Sequence, residues 1–287
     1  MKLSIITINY NNAEGLRKTL VSVGAQSYRE IEHIIIDGGS TDGSVEIIKE
    51  YESTNSLNPN SLNVKWLSEP DNGIYDAMSK GVKKASGDYI WILNSGDCAA
   101  AADTVGRMME VISHHTSSIP LLLGNIVKFY PDGRKVSEKK SNTKNINLVP
   151  LDTSMLTFYR GTVPQDAAFV RRDLFDKYGL FDPNLKIVSD WKLYLNMIAL
   201  GDVIPLYVNI DVVHFDMSGV SNVNVSKRDA EKRAYLEEIL PASVLKDYDV
   251  YSFPIEQYKR LRKHHLWGLV WFIERVLFKF EKWKLLK

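Results

Sequence analysis

The run Leu3-Ser4-Ile5-Ile6-Thr7-Ile8 and the turn Asn9-Tyr10-Asn11-Asn12 after it decide the fold of the first half of the chain. This continuous apolar, β-branched run is typical of a strand that is buried on both faces. A second strand predicted to be buried, residues 31–36, ends at Asp37-Gly38-Gly39-Ser40. Between them, residues 14–26 carry apolar side chains at helical spacing. Buried strands that are joined by a helix predict a parallel sheet.

The same alternation continues along the chain. We predict further strands at 64–67 and 89–93, with a helix at 74–85 between them. The other predicted elements are helices at 45–51, 102–113 and 190–200, strands at 121–130 and 167–171, an extended segment at 203–213, and helices from Lys227 onward with interruptions at Pro241 and Pro254. The predicted fold class is α/β: a doubly wound, mostly parallel sheet that is flanked by helices, with a C-terminal helical extension.

Polar, turn-rich clusters follow four of these strands. Because ligands of such sheets bind at the carboxyl ends of the strands, the four clusters should form one site. They are Asn9-Tyr10, Asp37-Gly38-Gly39, residues 69–73, and residues 94–97.

Composition restricts the class of protein. A net charge of +1 gives no reason to expect nucleic-acid binding. The single cysteine, Cys98, excludes an internal disulfide and fits a reducing compartment. No stretch reaches the roughly 18 uninterrupted apolar residues of a membrane-spanning helix, and residues 3–8 are too short for a secretion signal. We therefore expect a cytoplasmic protein, soluble or peripheral on the inner face of the cell membrane.

The segment after the second strand fits neither common phosphate-binding motif. A dinucleotide fingerprint needs glycine where Ser40 stands, and a P-loop needs a lysine that is absent. Two interpretations remain. The Asp37 carboxylate accepts hydrogen bonds from a ribose hydroxyl or a base N–H, or the segment is a helix-capping turn that uses Thr41 or Asp42.

Asn94-Ser95-Gly96-Asp97 follows another buried strand and contains one obligatory anion, Asp97. Such a carboxylate is suited to Mg²⁺ or Mn²⁺, which take oxygen ligands and keep water and phosphate among them. The ion would neutralise a departing diphosphate. The alternative is an ordinary β-turn, which also favours Asn and Gly.

Asn72-Gly73 is a turn signal at the start of the helix predicted at 74–85. The free amides and the dipole of a helix N-terminus suit a diphosphate. Asp76 would then contact sugar hydroxyls and Lys80 a phosphate. The alternative is that Asp76 and Lys80 form a stabilising pair on a surface helix, since they are four residues apart.

Taken together, these segments resemble the family 2 glycosyltransferases of the GT-A fold. The resemblance covers residues 1–100 in order and spacing, with weaker matches to about residue 222. The segments that carry it are residues 3–11, Ile35-Ile36-Asp37-Gly38-Gly39-Ser40-Thr41-Asp42-Gly43-Ser44, Ser68-Glu69-Pro70-Asp71-Asn72-Gly73-Ile74-Tyr75-Asp76-Ala77-Met78-Ser79-Lys80-Gly81, and residues 87–97.

The resemblance implies a nucleotide-sugar donor, with a UDP-sugar favoured. It implies that Thr7, Tyr10 and Asp37 surround the nucleoside. The predicted donor site also includes Gly73, Asp76, Lys80, Asn94, Ser95 and Asp97. Asp97 corresponds to the last acid of the family's DxD element, whereas the first acid is replaced here by Asn94 or Ser95. Binding of Mn²⁺ or Mg²⁺ would therefore depend heavily on the diphosphate.

The second half of the chain would supply the catalytic base. Ile187-Val188-Ser189-Asp190-Trp191 resembles the family's acidic motif, which makes Asp190 the general base. A carboxylate is needed because an acceptor hydroxyl is a poor nucleophile until its proton is removed. Displacement from the face opposite the nucleotide would invert the anomeric centre. Without the resemblance, Asp190 would be taken as a helix N-cap.

Two further segments resemble parts of the family. His214 and the residues to Asn222 look like the family's closing element, whose histidine completes the metal site, and the glycine-containing loop would close over the donor. The alternative is a structural histidine. Gln165-Asp166 stands where relatives carry an acceptor-side polar motif, but Pro164 replaces the histidine that usually precedes the glutamine.

By this resemblance, residues 1–225 form the catalytic domain, with a nucleotide-sugar-binding half (1–100) and an acceptor half (101–225), and residues 226–287 form a helical extension. Residues 259–287 contain nine Lys or Arg and two Glu around an apolar, aromatic-rich helical stripe. This pattern predicts a helix that lies in the plane of a membrane. The alternative is a helix packed on the catalytic domain or in a homodimer.

The sequence thus predicts a metal-dependent, inverting glycosyltransferase that acts on a glycan or lipid-linked saccharide acceptor in bacterial O-antigen, capsule or exopolysaccharide assembly. One alternative is a sugar nucleotidyltransferase, although the turn after the first strand lacks the Gly-rich, basic loop of that class. The other is a non-catalytic module that binds nucleotide-sugar or glycan.

Overall fold

The computed structural model describes residues 1–57, 61–115, 118–130, 134–138, 148–151, 154–216, 224–263, 268–269, 271–273 and 275. The strands are β1 Leu3–Asn9, β2 Ile31–Asp37, β3 Asn63–Ser68, β4 Tyr89–Ile92, β5 Cys98–Ala99, β6 Leu121–Phe129, β7 Lys135–Glu138, β8 Val149–Pro150, β9 Ala168–Arg171 and β10 Leu206–Asp216. The helices are α1 Ala13–Gly24, α2 Ser44–Ser56, α3 Ile74–Lys84, α4 Thr104–His114, α5 Met155–Arg160, α6 Asp173–Tyr178, α7 Ser189–Ile198, α8 Val225–Ile239 and α9 Ala242–Lys263, with a short 3₁₀ turn at Gln165–Ala167.

The first four strands form the parallel sheet that the sequence predicts. Their order is β3-β2-β1-β4, and each neighbouring pair is parallel. Every residue of β1 and β2 is buried, as expected of parallel strands that are covered on both faces. All four carboxyl ends therefore lie at one edge of the sheet, which is the edge predicted to carry the site.

The second half extends this sheet with strands of both directions. β9 runs antiparallel to β4 and to β6, β6 pairs parallel with β10, and β10 pairs antiparallel with β5. Within the described residues this gives a ten-stranded mixed sheet flanked by helices. The core below the site includes the stacked rings of Trp91 and Phe169, whose centroids are 5.2 Å apart.

Helix α3 packs unusually close to β1. A Cβ atom on Gly81 would lie 2.4 Å from Cγ2 of Ile6, whose side chain is completely buried. Only glycine permits this approach, because real Cβ contacts are never so short. The N-terminus of α3 lies at the carboxyl edge of the sheet, because the helix begins a few residues after the end of β3.

The chain divides into two compact units, Met1–Arg233 and Ala234–Lys287. The predicted break at Pro241 is confirmed, since α8 ends at Ile239, but the predicted break at Pro254 is wrong. Pro254 lies inside α9, where the loss of one backbone donor does not end the helix. None of the described helices has both the length and the apolar content that crossing a membrane requires.

Candidate active site

The ends of β1 and β2 are joined through the carboxylate of Asp37. Its oxygens accept hydrogen bonds from Asn9 Nδ2 (2.8 Å), Ser40 Oγ (2.6 Å) and Ser68 Oγ (2.7 Å). The backbone N–H groups of Gly39 and Ser40 also donate to it. Burial alone raises the pKa of Asp37, but these hydrogen bonds outweigh it and the pKa is lowered. The Asp37 carboxylate is therefore ionised and organises the turn.

Among the three residues predicted to surround the nucleoside, only Tyr10 is freely exposed, with 66% of its surface accessible. Thr7 and Asp37 are completely buried, and Thr7 Oγ1 lies 2.9 Å from His33 Nε2. Contact of Thr7 or Asp37 with a donor stays a prediction. It requires the donor to replace protein partners that both side chains have in this structure.

The N-terminus of α3 is open at the same edge. Gly73 precedes the helix with φ of +113°, and no side chain caps it. Asp76 accepts a hydrogen bond from the Asn72 N–H (3.0 Å) and forms an ion pair with Lys80 (3.3 Å). Lys80 also pairs with Glu69 at 3.0 Å. The surface pair weighed as an alternative is thus present, and contact of Asp76 and Lys80 with a donor stays a prediction.

Asp97 lies in the turn that follows β4, and its carboxylate is buried. It is 5% exposed, and its Oδ1 accepts a hydrogen bond of 2.9 Å from the backbone N–H of Asp216. Asn94, Ser95 and Gly96 form the turn, with the Asp97 N–H donating to the Asn94 carbonyl (3.0 Å). Burial and the nearby charge of Asp166 raise the pKa of Asp97 well above its usual range.

Asp190 lies in the first turn of α7, which begins at Ser189. Val188 is the N-cap and no side chain caps the helix, so the alternative of Asp190 as the N-cap is wrong. The helix instead holds the Asp190 carboxylate near its own backbone N–H groups. Tyr75 of α3 donates a hydrogen bond of 2.8 Å to Asp190 Oδ1. Burial raises the pKa of Asp190, and the Tyr75 hydrogen bond opposes this rise.

Asp166 links the two halves of the site. Its carboxylate accepts a hydrogen bond from Asn94 Nδ2 (3.2 Å), and its backbone carbonyl accepts one from Trp91 Nε1 (2.7 Å). Burial and the charge of Asp190 raise the pKa of Asp166 to about 7. The charge of Asp166 contributes to the raised pKa of Asp97, and the charge of Asp190 contributes to the raised pKa of Asp166.

A lysine lies beside Trp191, the residue that follows Asp190. Lys232 of α8 donates to the Gly161 carbonyl (3.0 Å), and its ammonium lies 5.1 Å from the ring centroid of Trp191. Burial lowers the pKa of Lys232 to about 8, against the opposing effect of Asp190. The sequence patterns gave no sign of Lys232 or Tyr75, because both reach the site from helices whose packing is set by tertiary contacts. The resemblance placed Asp166 in an acceptor-side polar motif but gave this residue no role.

His214 lies on β10, opposite Cys98 of β5. Its ring lies against Phe129, with centroids 4.7 Å apart, and burial lowers its pKa. The loop expected to close over the donor lies in residues 217–223, outside the described residues. A metal-binding role of His214 therefore stays a prediction.

The side chains around Asp97 fit a divalent cation. Two neighbouring carboxylates, Asp97 and Asp166, raise the free energy of the folded chain unless a positive charge compensates them. The buried Oδ1 of Asn94 and Oε1 of Gln165 have no hydrogen-bond partner. Within the described residues no three His, Cys, Asp or Glu side chains group as a metal site. The protein ligands present are thus few oxygens, which suits an ion that also binds phosphate and water.

The fold is the GT-A fold of known glycosyltransferases. The chain superposes on Staphylococcus aureus TarS in complex with UDP-GlcNAc with a TM-score of 0.61, at 20% identity, over 86% of this chain and 70% of TarS. It superposes on GalNAc-T7 with UDP, GalNAc and Mn²⁺ with a TM-score of 0.61, at 18% identity, over 88% of this chain and 50% of that one.

Sequence comparison gives the family. An uncharacterized glycosyltransferase of Mycobacterium tuberculosis is 32% identical over 77% of each chain. The sequence model of Glycosyl transferase family 2 matches residues 4–179. The chain belongs to this family, and it is a glycosyltransferase. The predicted resemblance and fold class are confirmed.

Proposed function

We propose that this enzyme transfers a sugar from a nucleoside-diphosphate-sugar to an acceptor hydroxyl with inversion, using Asp190 as the general base. The observation that supports the proposal is the hydrogen bond of 2.8 Å from Tyr75 of α3 to Asp190 Oδ1, because it holds Asp190 at the helix that begins at the carboxyl edge of the sheet, the edge where Asp97 also lies. The two sides of the reaction, the leaving diphosphate and the attacking hydroxyl, would then meet between these two carboxylates.

On the donor side, the dipole and the first-turn backbone N–H groups of α3 would face the diphosphate, while the Gly73 N–H just before the helix donates to Asp71 Oδ1 (2.8 Å). Tyr10, exposed at the end of β1, offers a ring to the base of the nucleoside. A UDP-sugar is favoured because TarS, which shares the fold, binds UDP-GlcNAc. Asp76 and Lys80 would exchange part of their mutual ion pair for the sugar and a phosphate.

Mn²⁺ or Mg²⁺ would be held at Asp97, with His214 as a further ligand, and would neutralise the charge that develops on the leaving diphosphate. GalNAc-T7, another protein of this fold, has been solved with Mn²⁺. The buried carboxylates supply the negative charge that makes the site selective for a cation.

On the acceptor side, Asp190 accepts the proton of the attacking hydroxyl as the new bond forms. Its raised pKa makes it a stronger base than an exposed aspartate. The Tyr75 hydrogen bond to Oδ1 fixes the orientation of the carboxylate that would accept this proton. We propose a glycan or lipid-linked saccharide as the acceptor, in assembly of a bacterial surface polysaccharide, with residues 259–287 holding the enzyme at the membrane.

The experiment is a panel of nucleotide-sugars with Mn²⁺ and a lipid-diphosphate saccharide acceptor, scored for released nucleoside diphosphate. NMR of the product then reports the anomeric configuration of the transferred sugar. We expect transfer from one donor with the configuration inverted. Retention of configuration would exclude a single displacement assisted by Asp190. Donor hydrolysis without transfer in the presence of the acceptor would contradict the proposed acceptor class.

A further inference from the structure

Asp166 is fixed to the strand end that carries Asp97. Its backbone carbonyl is bound by Trp91, inside β4, and its carboxylate by Asn94, two residues beyond that strand. The short 3₁₀ turn Gln165–Ala167 therefore makes one hydrogen bond with β4 and a second with the turn that follows β4. A side chain from a distant part of the chain is thereby held beside residues 94–97.

The Asn94 amide has a specific orientation in this contact. Its nitrogen donates to Asp166 Oδ1 at 3.2 Å, which leaves its oxygen, Oδ1, as the buried atom without a partner. Gln165, which is only 6% exposed, likewise has an unpaired Oε1. The Asn94 oxygen belongs to the amide that contacts Asp166, and a buried acceptor without a partner is destabilising unless a donor or a cation supplies the missing interaction.

The charges at this position are unbalanced. Among the ion pairs formed by the described residues, none involves Asp97 or Asp166. The Asp97 N–H donates to the Asn94 carbonyl (3.0 Å), and the Asn94 amide donates to the Asp166 carboxylate (3.2 Å), so both acidic residues are held at the same turn. A pair of this kind remains in a fold when a cation compensates it.

We infer that Asp166, positioned by the Asn94 amide, supplies the second carboxylate of the divalent-cation site at Asp97. The inference rests on the proposed function, because it specifies the same metal site. It also explains the departure from the DxD element: Asn94 does not leave a carboxylate missing but orients one from the Gln165–Ala167 turn. The ligand set is then Asp97, Asp166 and an amide oxygen, completed by phosphate and water.

The test measures Mn²⁺ binding directly, by electron paramagnetic resonance of free Mn²⁺ titrated into the full-length protein with UDP present. Asp166→Asn should weaken Mn²⁺ binding by at least about tenfold, the lower end of what even outer-shell changes cost a metal site. Its melting temperature without metal should equal or exceed that of the unchanged protein, because a buried, uncompensated charge is removed. The matched control is Asp202→Asn, at an exposed carboxylate paired with Lys177, which should bind Mn²⁺ normally.

A carboxylate exchange separates charge from packing. In Asn94→Asp combined with Asp166→Asn, the acid and the amide trade places across a single hydrogen bond, and Mn²⁺ binding should be regained relative to Asp166→Asn alone. Failure to regain it would mean that Asp166 acts through packing and would overturn its assignment as a ligand. Unaltered Mn²⁺ binding in Asp166→Asn would overturn the inference alone. Absence of Mn²⁺ binding in the unchanged protein would overturn the proposed metal site together with it.

Discussion

The hydroxyl of Tyr75 donates a hydrogen bond of 2.8 Å to Oδ1 of Asp190, across 115 positions of sequence. Tyr75 lies in the first turn of α3, whose open N-terminus faces the proposed diphosphate site, and Asp190 lies in the first turn of α7. This hydrogen bond therefore links helix α3, on the proposed donor side, directly to Asp190, the proposed base. A shift of α3 would change the hydrogen bond to the Asp190 carboxylate.

Replacing Tyr75 by Phe should lower kcat by roughly ten- to hundredfold, since a hydrogen bond to a charged group contributes about 1.5–3 kcal/mol. Tyr75 lowers the pKa of Asp190, so without it the acid limb of the kcat–pH profile should move to higher pH. The control is Tyr89→Phe, which loses a buried hydroxyl hydrogen bond to the Ile119 carbonyl away from the cleft. An acid limb that shifts equally in both variants would speak against a role at the base.

Gly81→Ala should destabilise the fold by about 1–3 kcal/mol, as overpacking does in well-packed cores. The new Cβ would lie 2.4 Å from Ile6 Cγ2, so α3 must move away from β1. Gly106→Ala is the matched control, because Gly106 is also helical and its Cβ would meet only Ser27 Oγ, at 3.7 Å. There we expect a neutral or stabilising effect of up to about 1 kcal/mol. Urea denaturation measures both, and equal effects would refute the close packing of α3.

Glu32 determines how the fold responds to acid. It is completely buried and pairs with Lys2 (2.9 Å) and Lys65 (3.0 Å). Burial alone raises its pKa, but hydrogen bonds from Ser4, Ser86 and both lysines lower the pKa well below the usual value of 4.5. A carboxyl group whose pKa is lower in the folded state than in the unfolded state stabilises the folded protein at any pH above the unfolded-state pKa. As the pH falls from the unfolded-state pKa toward the folded-state pKa, this stabilisation is lost.

Glu32→Gln should therefore lower the free energy of unfolding at pH 7 by about 3 kcal/mol, the range for breaking a buried ion pair. The difference from the unchanged protein should shrink as the pH is lowered from 4.5 toward 3, because the unchanged protein loses the same contribution. Denaturation curves at several pH values measure this. Glu14→Gln, at an exposed pair with Lys18, should leave the curves unchanged. A pH-independent difference for Glu32→Gln would contradict the role given to this charge.

The membrane prediction concerns residues 259–287, most of which lie outside the described residues. Replacing Lys279, Lys282 and Lys284 by Glu should sharply reduce binding of the full chain to vesicles that contain anionic phospholipid, since each nearby basic residue contributes about 1 kcal/mol. Binding to vesicles of neutral phosphatidylcholine should be weak in both forms. Deletion of 259–287 should also move the protein from the membrane fraction to the soluble one; unchanged partitioning would favour packing on protein.

Much of the first half of the fold follows from the sequence. Short runs rich in β-branched residues, such as residues 3–8, are typical of strands that are covered on both faces. All four strands predicted before residue 100 are present. The antiparallel insertion of β9 between β4 and β6 was not predictable in the same way. Strand direction there depends on long connections and on contacts across the sheet, which leave no local pattern.

The positions of Asp37 and Asp97 at the carboxyl edge of the sheet were predictable, because each follows a buried strand in the sequence. Periodicity could not indicate that Asp37 would be fully enclosed by donors from Asn9, Ser40 and Ser68, which depends on how three loops pack. Nor could it connect Asp166 to Asn94, which lies 72 positions away. Such contacts arise from tertiary structure, and the residues that make them carry no distinguishing spacing.

The most direct test of the central claim compares Asp190→Asn with the unchanged enzyme in two measurements, turnover with the active donor and affinity for that donor by calorimetry. The substitution keeps the shape of the side chain and the Tyr75 contact but removes the proton acceptor. We predict that turnover falls by about 10²–10⁴-fold, the usual contribution of general-base catalysis, while donor affinity is kept. Turnover within a few-fold of the unchanged enzyme, with the variant folded and donor bound, would contradict the assignment of Asp190 as the base.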